Sequence, residues 1–255
     1  APLAYATGQP IAPPVMPGWH GVPLRQRLED ALGLRVFVEN DANLGALAEQ
    51  RWGVAQGWAN VAYLYMGSAG IGCGLILDGR LYRGDTGAAG EIGHLLVEES
   101  GPACRCGSYG CLEAVAGLPA VVRRAQAIGL PCASLDDILA LARQGEPKAG
   151  ALLDSTGEYL GVAVANLLNM INPGSVVIGG RMAEAGELVL GPLRRTLQRR
   201  GLAAAVEHVA LAAGTLGDDV VATGAVSIVV HHVFSAPSSA RPAGGAASAP
   251  AIISV

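Results

Sequence analysis

Residues 90–113 read GEIGHLLVEESGPACRCGSYGCLE and contain four side chains that bind soft metals: His94, Cys104, Cys106 and Cys111. Three thiolates and one imidazole complete the tetrahedral coordination of Zn²⁺ and leave no open position, so this pattern predicts a structural zinc site. Two glycines between the second and third thiols allow the tight turn that such a loop needs. The alternative is a disulfide with one spare cysteine, but Cys104 and Cys106 are too close in sequence for an easy bridge. A disulfide also leaves the histidine unexplained.

Two carboxylates flank the predicted metal ligands. Glu91 precedes His94 by three residues, and Glu113 follows Cys111 by two. A metal bound between them would fix both carboxylates relative to each other, and a ligand with many hydroxyl groups fits between two such acceptors. The alternative is that both glutamates are solvated carboxylates in turns.

The composition excludes several classes of protein. The chain has 255 residues, 51% of them hydrophobic and 4% aromatic, which predicts a large aliphatic core. Its net charge is −4, and its dibasic pairs at 194–195 and 199–200 suit a solvated helix face, so we expect no nucleic-acid binding by these residues alone. We expect no membrane association, because no apolar run is long enough to span a bilayer. No basic segment of a signal peptide opens the sequence, and Cys73 and Cys132 suit buried thiols, so we predict a cytoplasmic protein.

A strand-to-helix junction near the start carries further candidate ligand groups. Arg35 to Val38 is a short apolar strand, and a helix follows from about Ala42 to Trp52. Asn40 and Asp41 lie between them, at the carboxyl edge of a sheet, where α/β proteins place ligand groups. The alternative is that both residues cap the helix, and capping is compatible with ligand contact.

The next segment is rich in glycine. Val61 to Met66 is predicted to be a strand, residues 67–74 (GSAGIGCG) a turn, and Cys73 to Leu77 a second strand. Asp78-Gly79 predicts a type I′ hairpin. The turn resembles a phosphate-facing loop, but the pattern by itself favours a tight hairpin with positive φ angles.

Helices and strands alternate through the remainder of the chain, which predicts an α/β layer with helices covering a sheet. We expect helices over 112–127, 135–144, 146–172, 186–200 and 218–234, and strands over 176–178 and 206–212. Residues 1–18 are predicted to be a loop or an extended segment. Residues 235–255 consist mostly of Ala, Pro, Ser and Gly, and we predict that they are disordered.

Several motifs together resemble the ROK family (repressor, open reading frame, kinase). The most specific are AAGEIGH at 88–94 and CRCGSYGCLE at 104–113, at this separation. VENDAN at 38–43, GIGCGLILDGRLYRG at 70–84 and NPGSVVIGG at 172–180 match further family segments. The resemblance covers residues 19–230.

The resemblance implies an actin-like, hexokinase-like two-lobed α/β fold. It divides the chain into a partial N-terminal lobe (1–60), a C-terminal lobe (61–234) with a zinc-binding loop at 90–113, and the predicted disordered segment. It also implies roles for the candidate residues. Asn40, Asp41, Glu91, His94 and Glu113 would bind sugar hydroxyls, with Asp41 as the general base in the kinases of the family. His94, Cys104, Cys106 and Cys111 would hold the zinc.

The family contains both sugar kinases and sugar-responsive transcriptional regulators. Its kinases usually carry an early Asp-x-Gly-x-Thr phosphate loop, which is absent before residue 35, and a Gly-Thr-Gly turn, where this chain has Ser68-Ala69-Gly70. Ala69 lacks the hydroxyl of the threonine, although Ser68 would partly compensate if the turn shifted by one residue. Phosphoryl transfer depends on positioning the phosphates, so these departures favour a sensor over a kinase.

The sequence therefore predicts the effector domain of a sugar-responsive regulator, with a hexose or an N-acetylhexosamine as effector. DNA would bind through a domain outside these residues, and the protein would form a homodimer or a higher homo-oligomer. The alternative is an ATP- and Mg²⁺-dependent sugar kinase similar to glucokinase. A weaker third possibility is a structural homologue with an intact zinc site and no ligand.

Overall fold

The computed structural model describes residues 2–11, 13, 16–235 and 251–254, and its centre is a mixed sheet. The strands are β1 (Leu3–Ala4), β2 (Gln9–Pro10), β3 (Val36–Glu39), β4 (Val61–Gly67), β5 (Gly70–Leu77), β6 (Arg80–Tyr82), β7 (Ser175–Gly180), β8 (Ala210–Ala213) and β9 (Ala251–Ser254). The central sheet has the order β6-β5-β4-β7-β8, with β4, β7 and β8 parallel and β5 and β6 antiparallel to their neighbours.

Helices cover both faces of this sheet. They are α1 (Leu24–Leu32), α2 (Asp41–Trp52), α3 (Leu112–Ala116), α4 (Leu118–Ala127), α5 (Leu135–Arg143), α6 (Pro147–Ile171), α7 (Glu187–Arg200), α8 (Ala203–Val206) and α9 (Val220–Ser235). Side chains of β4 alternate between the two faces. Tyr63 packs in the cluster that contains Val220 of α9, whereas Leu64 packs in the cluster that contains Leu160 of α6. Burial on both faces explains the continuous apolar run of this strand.

The start of α2 lies directly over β5. An added Cβ at Gly74 would lie 2.2 Å from the carbonyl oxygen of Ala42, so only glycine allows this approach. Asn40, which precedes α2, and Asp41, its first residue, are thereby held above the β4–β5 hairpin.

The glycine-rich segment is not the long turn that the sequence predicts. Only Ser68 and Ala69 lie between β4 and β5, and Gly70, Gly72 and Gly74 belong to β5. The glycines in this strand allow other elements to approach it closely. A high glycine content does not by itself show whether a segment forms a turn or such a strand. The predicted Asp78-Gly79 turn is confirmed, with φ angles of 50° and 74°.

Two further predictions were wrong in their details. The helix predicted over 112–127 is divided at Gly117, because Pro119 has no N–H to donate to Val115; Arg124 donates to the Val115 carbonyl instead, at 3.0 Å. The strand predicted over 206–212 begins at Ala210; Val206 ends α8, and residues 207–208 form a turn.

The two ends of the chain contain short strands. Within residues 1–18, predicted to be a loop or an extended segment, β1 and β2 pair antiparallel. Within the segment predicted as disordered, Ser235 ends α9, and Ala251–Ser254 form a strand parallel to β3, so the prediction is wrong for these residues. Residues 236–250 and 255 lie outside the described residues. No helix in the described part of the chain has the length and apolar character needed to cross a membrane.

Candidate functional site

The four predicted metal ligands meet at one point. The ligand atoms of His94, Cys104, Cys106 and Cys111 all lie within 4.8 Å of one another. The Cys106 and Cys111 sulfurs are 3.7 Å apart, and the Cys104 sulfur lies 3.6 Å from His94 Nδ1. Bonds of about 2.3 Å in a tetrahedral zinc site separate sulfurs by roughly 3.8 Å, whereas a disulfide needs about 2.05 Å. The cluster therefore fits a tetrahedral metal ion.

Backbone hydrogen bonds shape the metal loop. The N–H of Leu112 donates to Leu95 at 2.9 Å, and the N–H of Gly110 donates to Pro102 at 2.9 Å, which brings the cysteines back to the histidine. Gly110 has a φ of +64°, and an added Cβ would lie 1.7 Å from the Glu98 carbonyl oxygen, so glycine is required there. The sequence and the fold thus agree on a preformed cluster.

A bound cation would change the charge of the most buried thiol of the cluster. Cys111 is 1% exposed, and burial raises its pKa to about 12. A thiol with that pKa is neutral at physiological pH. A coordinated cation reverses this, because it deprotonates the thiol outright.

His94 faces both the cluster and a neighbouring cleft. Its Nδ1 points to the Cys104 sulfur, and its Nε2 lies 3.8 Å from Glu91 Oε2. Metal binding at Nδ1 would leave a proton on Nε2, where it faces the carboxylate. The histidine can therefore act as a metal ligand and as a cleft donor together.

The five predicted sugar-binding residues surround this cleft, whose volume is about 140 Å³. Asn40, Asp41, Glu91, His94 and Glu113 all line it, together with Tyr65, Arg105 and the β4–β5 turn. The structure brings these residues together from distant parts of the chain. Their contact with a ligand stays a prediction.

Asn40 and Asp41 combine helix capping with a place in the cleft. Asn40 Oδ1 accepts from the N–H groups of Ala42 and Asn43, at 2.9 and 3.3 Å, and so caps α2. Asp41 follows at the first helical position, where burial raises the pKa of its carboxyl. The capping interpretation is therefore confirmed for Asn40, whereas contact of either residue with a ligand stays a prediction.

The two predicted glutamates differ in their surroundings. Burial raises the pKa of Glu91, against the opposing effect of His94. Glu113 is engaged on both oxygens: Oε2 accepts from the Ile71 N–H at 3.1 Å, and Oε1 accepts from Arg105 Nη2 at 2.7 Å. Neither is a free carboxylate in a turn.

Two residues important to the site were missed at the sequence level. Arg105 bonds both Glu113 and the carbonyl oxygen of Ala69, although its place between two ligand cysteines is visible in the sequence. Glu39 is 3% exposed; it accepts from the Asn40 N–H at 3.0 Å and from Arg83 Nε at 2.7 Å, so it fixes the loop that carries Asn40. A charged residue at the end of an apolar strand, directly before a loop with ligand groups, is the sequence signal that would have identified it.

Comparison with known proteins places these features in a family. A model of the ROK family matches residues 6–232. A glucokinase from Thermotoga maritima is 36% identical over 234 residues, which cover 86% of this chain and 74% of that protein. A xylose repressor from Bacillus subtilis is 33% identical over 214 residues, which cover 84% of this chain and 55% of that protein.

A solved structure agrees with the sequence matches. A ROK family transcriptional regulator, a homologue of the E. coli MLC protein, superposes with a TM-score of 0.80 at 31% identity, over 89% of this chain and 60% of that one. This chain therefore spans little more than half of the regulators that it resembles. The fold is the actin-like, hexokinase-like α/β architecture of these proteins.

Proposed function

Because the chain belongs to the ROK family, we propose that it is the sugar-sensing part of a transcriptional regulator and that the cleft binds a hexose or an N-acetylhexosamine. The observation that carries this proposal is the set of polar groups around one small cleft, with His94 connecting that cleft to the metal cluster. A sugar offers several hydroxyls that each donate and accept, and carboxylates and an amide on a rigid frame complement them.

The metal cluster would hold one wall of the cleft in place. His94, Cys104, Cys106 and Cys111 would bind Zn²⁺ as a structural ion, because all four positions of a tetrahedron are then filled by the protein. The ion would supply no chemistry to a ligand. Its part is to fix the direction of His94 Nε2 and the path of the chain to Glu113.

The β4–β5 turn favours a sensor over a kinase. Ala69 offers no hydroxyl to a nucleotide phosphate, and its carbonyl oxygen already accepts from Arg105. Transfer of a phosphoryl group depends on positioning and charge stabilisation around the phosphates. The groups for sugar recognition are therefore better preserved than those for phosphoryl transfer.

In this proposal the sugar acts by stabilising one conformation of the domain. A ligand shifts an equilibrium only through its different affinity for two states, so lobe closure around the cleft would be the signal. A DNA-binding part outside residues 1–255 would receive it, within a cytoplasmic homodimer or higher oligomer. Xylose repressors and an MLC homologue are among the similar proteins, which supports this arrangement.

A sugar kinase is the second candidate, and one observation favours it. Ser68 of the turn lines both the sugar cleft and a second cavity of about 460 Å³, whose wall includes Leu118 and Arg181. Two cavities that share one turn suit an acceptor sugar and a phosphoryl donor. Asp41 would then be the base, and its raised pKa makes it a better proton acceptor than an ordinary aspartate.

Calorimetry with a panel of hexoses, N-acetylhexosamines and xylose tests the proposal. We expect one sugar to bind, and we expect Glu91→Gln to weaken it by about tenfold or more, since a hydrogen bond to a charged group contributes about 1.5 kcal/mol or more. Glu207→Gln, an exposed carboxylate remote from the cleft, serves as the control and should bind like the wild type. Binding of no sugar by the wild type would remove the proposal.

The kinase alternative is tested by coupled measurement of ADP release with ATP, Mg²⁺ and the same sugars. We expect no turnover above background. Robust turnover that is abolished by Asp41→Asn would establish the kinase instead.

A further inference from the structure

Arg105 makes contacts that the proposed sugar recognition does not require. It stands between two metal ligands, Cys104 and Cys106, so a bound metal would fix its backbone on both sides. Its guanidinium leaves the loop and reaches Glu113 Oε1, at 3.3 Å from Nε and 2.7 Å from Nη2. The same Nη2 donates to the carbonyl oxygen of Ala69, 36 residues earlier in the chain.

Glu113 also contacts the chain directly after the turn. Its Oε2 accepts from the N–H of Ile71 at 3.1 Å. The ion pair therefore holds the residues before and after Gly70. This glycine has a φ of +150°, and an added Cβ would lie 1.9 Å from Glu113 Oε2, so any other residue would disturb the contact.

The geometry of the contact between Arg105 and Glu113 contributes more to the order of the turn than its charge does. The Arg105 side chain is 46% exposed, and exposed ion pairs contribute little to stability. A guanidinium, however, is a rigid planar fork that bonds two acceptors at fixed angles, whereas a lysine ammonium is a single point on a flexible stem. Arg105 therefore fixes the position of two acceptors relative to the metal loop.

We propose that Arg105 is a positioning residue through which the metal cluster holds the β4–β5 turn and orients Glu113. A bound metal fixes the backbone of residues 104–106. The guanidinium then holds Ala69 and Glu113 in fixed positions, and the part of the cleft wall that the turn forms becomes rigid. The effect on sugar affinity depends on the proposed sugar-binding function. The effect on the turn does not.

Hydrogen exchange at the amides of residues 69–71 tests the coupling without any sugar. In the wild type, chelation of the metal should speed exchange of the Ile71 amide by about tenfold, because its acceptor loses its place. In Arg105→Ala the exchange should already be fast, and chelation should add little. Arg105→Lys keeps the charge but lacks the planar fork and the Nε contact to Glu113, so it should retain only part of the protection.

Arg123→Ala is the matched control. This arginine lines the groove next to Arg105, but its side chain makes no ion pair or hydrogen bond within the described part of the chain. Its loss should therefore leave the turn, and the response of the turn to chelation, as in the wild type. Metal content is measured for each variant, and variants that retain the ion are compared. A protected turn in Arg105→Ala, or a full response to chelation in that variant, would contradict the proposal.

Calorimetry with the sugar that binds the wild type forms the second arm. Arg105→Ala should weaken binding by about tenfold with the metal retained, and Arg123→Ala should not. If no sugar binds the wild type while exchange shows the coupling, the proposed function fails and the role of Arg105 stands. Unchanged affinity in Arg105→Ala would show that the turn does not contribute to sugar binding.

Discussion

The carboxyl of Asp41 is a proposed ligand group, and its burial opposes folding. It lies at the first position of α2, where a negative charge is favoured by the helix dipole, yet burial raises its pKa from the ordinary 3.8. The cost of removing the ionised group from water therefore exceeds the benefit of the helix N-terminus. A ligand hydroxyl that donates to this carboxylate would offset that cost.

Asp41→Asn should consequently stabilise the protein at neutral pH while it weakens sugar binding. The folded state binds the Asp41 proton more tightly than the unfolded state, so stability from this group is lost as the pH rises from 3.8 through the folded pKa. The variant, which has no charge to bury, should melt above the wild type at pH 7, and the difference should shrink as the pH falls towards 4. Sugar affinity should fall by about tenfold to a hundredfold.

Thermal melting across pH 4 to 7, with calorimetry at pH 7, measures both effects. Asp30→Asn, which removes an exposed carboxylate from α1, controls for loss of charge alone. A lower melting temperature for Asp41→Asn at pH 7 would mean that the helix dipole and hydrogen bonds outweigh burial, contrary to the argument.

Side chains that act along one contiguous segment could be predicted from the sequence, and those that act across the fold could not. The metal ligands occur within one loop, and their residue types define the chemistry. The contact of Arg105 with Ala69 depends on how β5 passes beneath the loop, which no local pattern contains. The same limit applies to Glu39, whose partner Arg83 comes from the segment after β6.

At the level of elements, the metal loop is the one whose stability should depend on an ion. Residues 95–111 contain little regular structure, and Cys111, buried beside Leu112, would leave an unpaired thiol at the start of α3. Removal of a structural metal should destabilise the protein by about 3 kcal/mol or more. For a chain of this size, this lowers the melting temperature by roughly 6 to 12 °C.

Melting before and after chelation, with metal content measured by elemental analysis, checks this expectation. Cys111→Ser should melt like the chelated wild type and should not respond to chelator. Cys132→Ser, which changes a buried thiol outside the cluster, should keep its metal and its response. An unchanged melting temperature after verified loss of the metal would exclude a structural role.

The main error in element prediction concerns the glycines of β5. They were predicted to form a turn, whereas Gly72 and Gly74 allow the start of α2 to approach the strand and Gly70 leaves room for Glu113. Hydrophobic periodicity and intrinsic propensity describe which secondary structure a segment favours by itself. Close contacts between elements, however, decide where a glycine is needed. The tertiary contact outweighs the local preference at Gly74, whereas the division of the predicted helix before Pro119 is a local effect of the missing N–H.

At the scale of the whole molecule, Glu49 connects the helix that begins at the cleft to the segment between β8 and α9. It lies near the end of α2, the helix that begins at the cleft, and it is 1% exposed. Its Oε1 accepts from the N–H groups of Thr215 and Leu216, at 2.8 and 3.2 Å, in the segment between β8 and α9. Its Oε2 accepts from the Val54 N–H at 2.9 Å. One carboxylate therefore joins α2 to the entry of α9.

Glu49→Ala should lower the free energy of unfolding by about 3 kcal/mol or more, because three backbone N–H groups lose their shared, buried acceptor at once. Glu49→Gln should cost less, since one amide oxygen still serves Thr215 and Leu216 while its NH₂ group opposes the Val54 N–H. If α2 moves as a rigid unit, Glu49→Ala should also weaken sugar binding, although the residue lies outside the cleft.

Gln50→Ala is the control on the same helix. It removes a single hydrogen bond, from the Gln50 side chain to the Trp58 carbonyl, and should change the stability and the sugar affinity only slightly. Denaturant unfolding together with calorimetry separates the outcomes: lost stability with unchanged affinity would confine Glu49 to the fold, and loss of both would show that the cleft depends on the anchoring of α2 at α9.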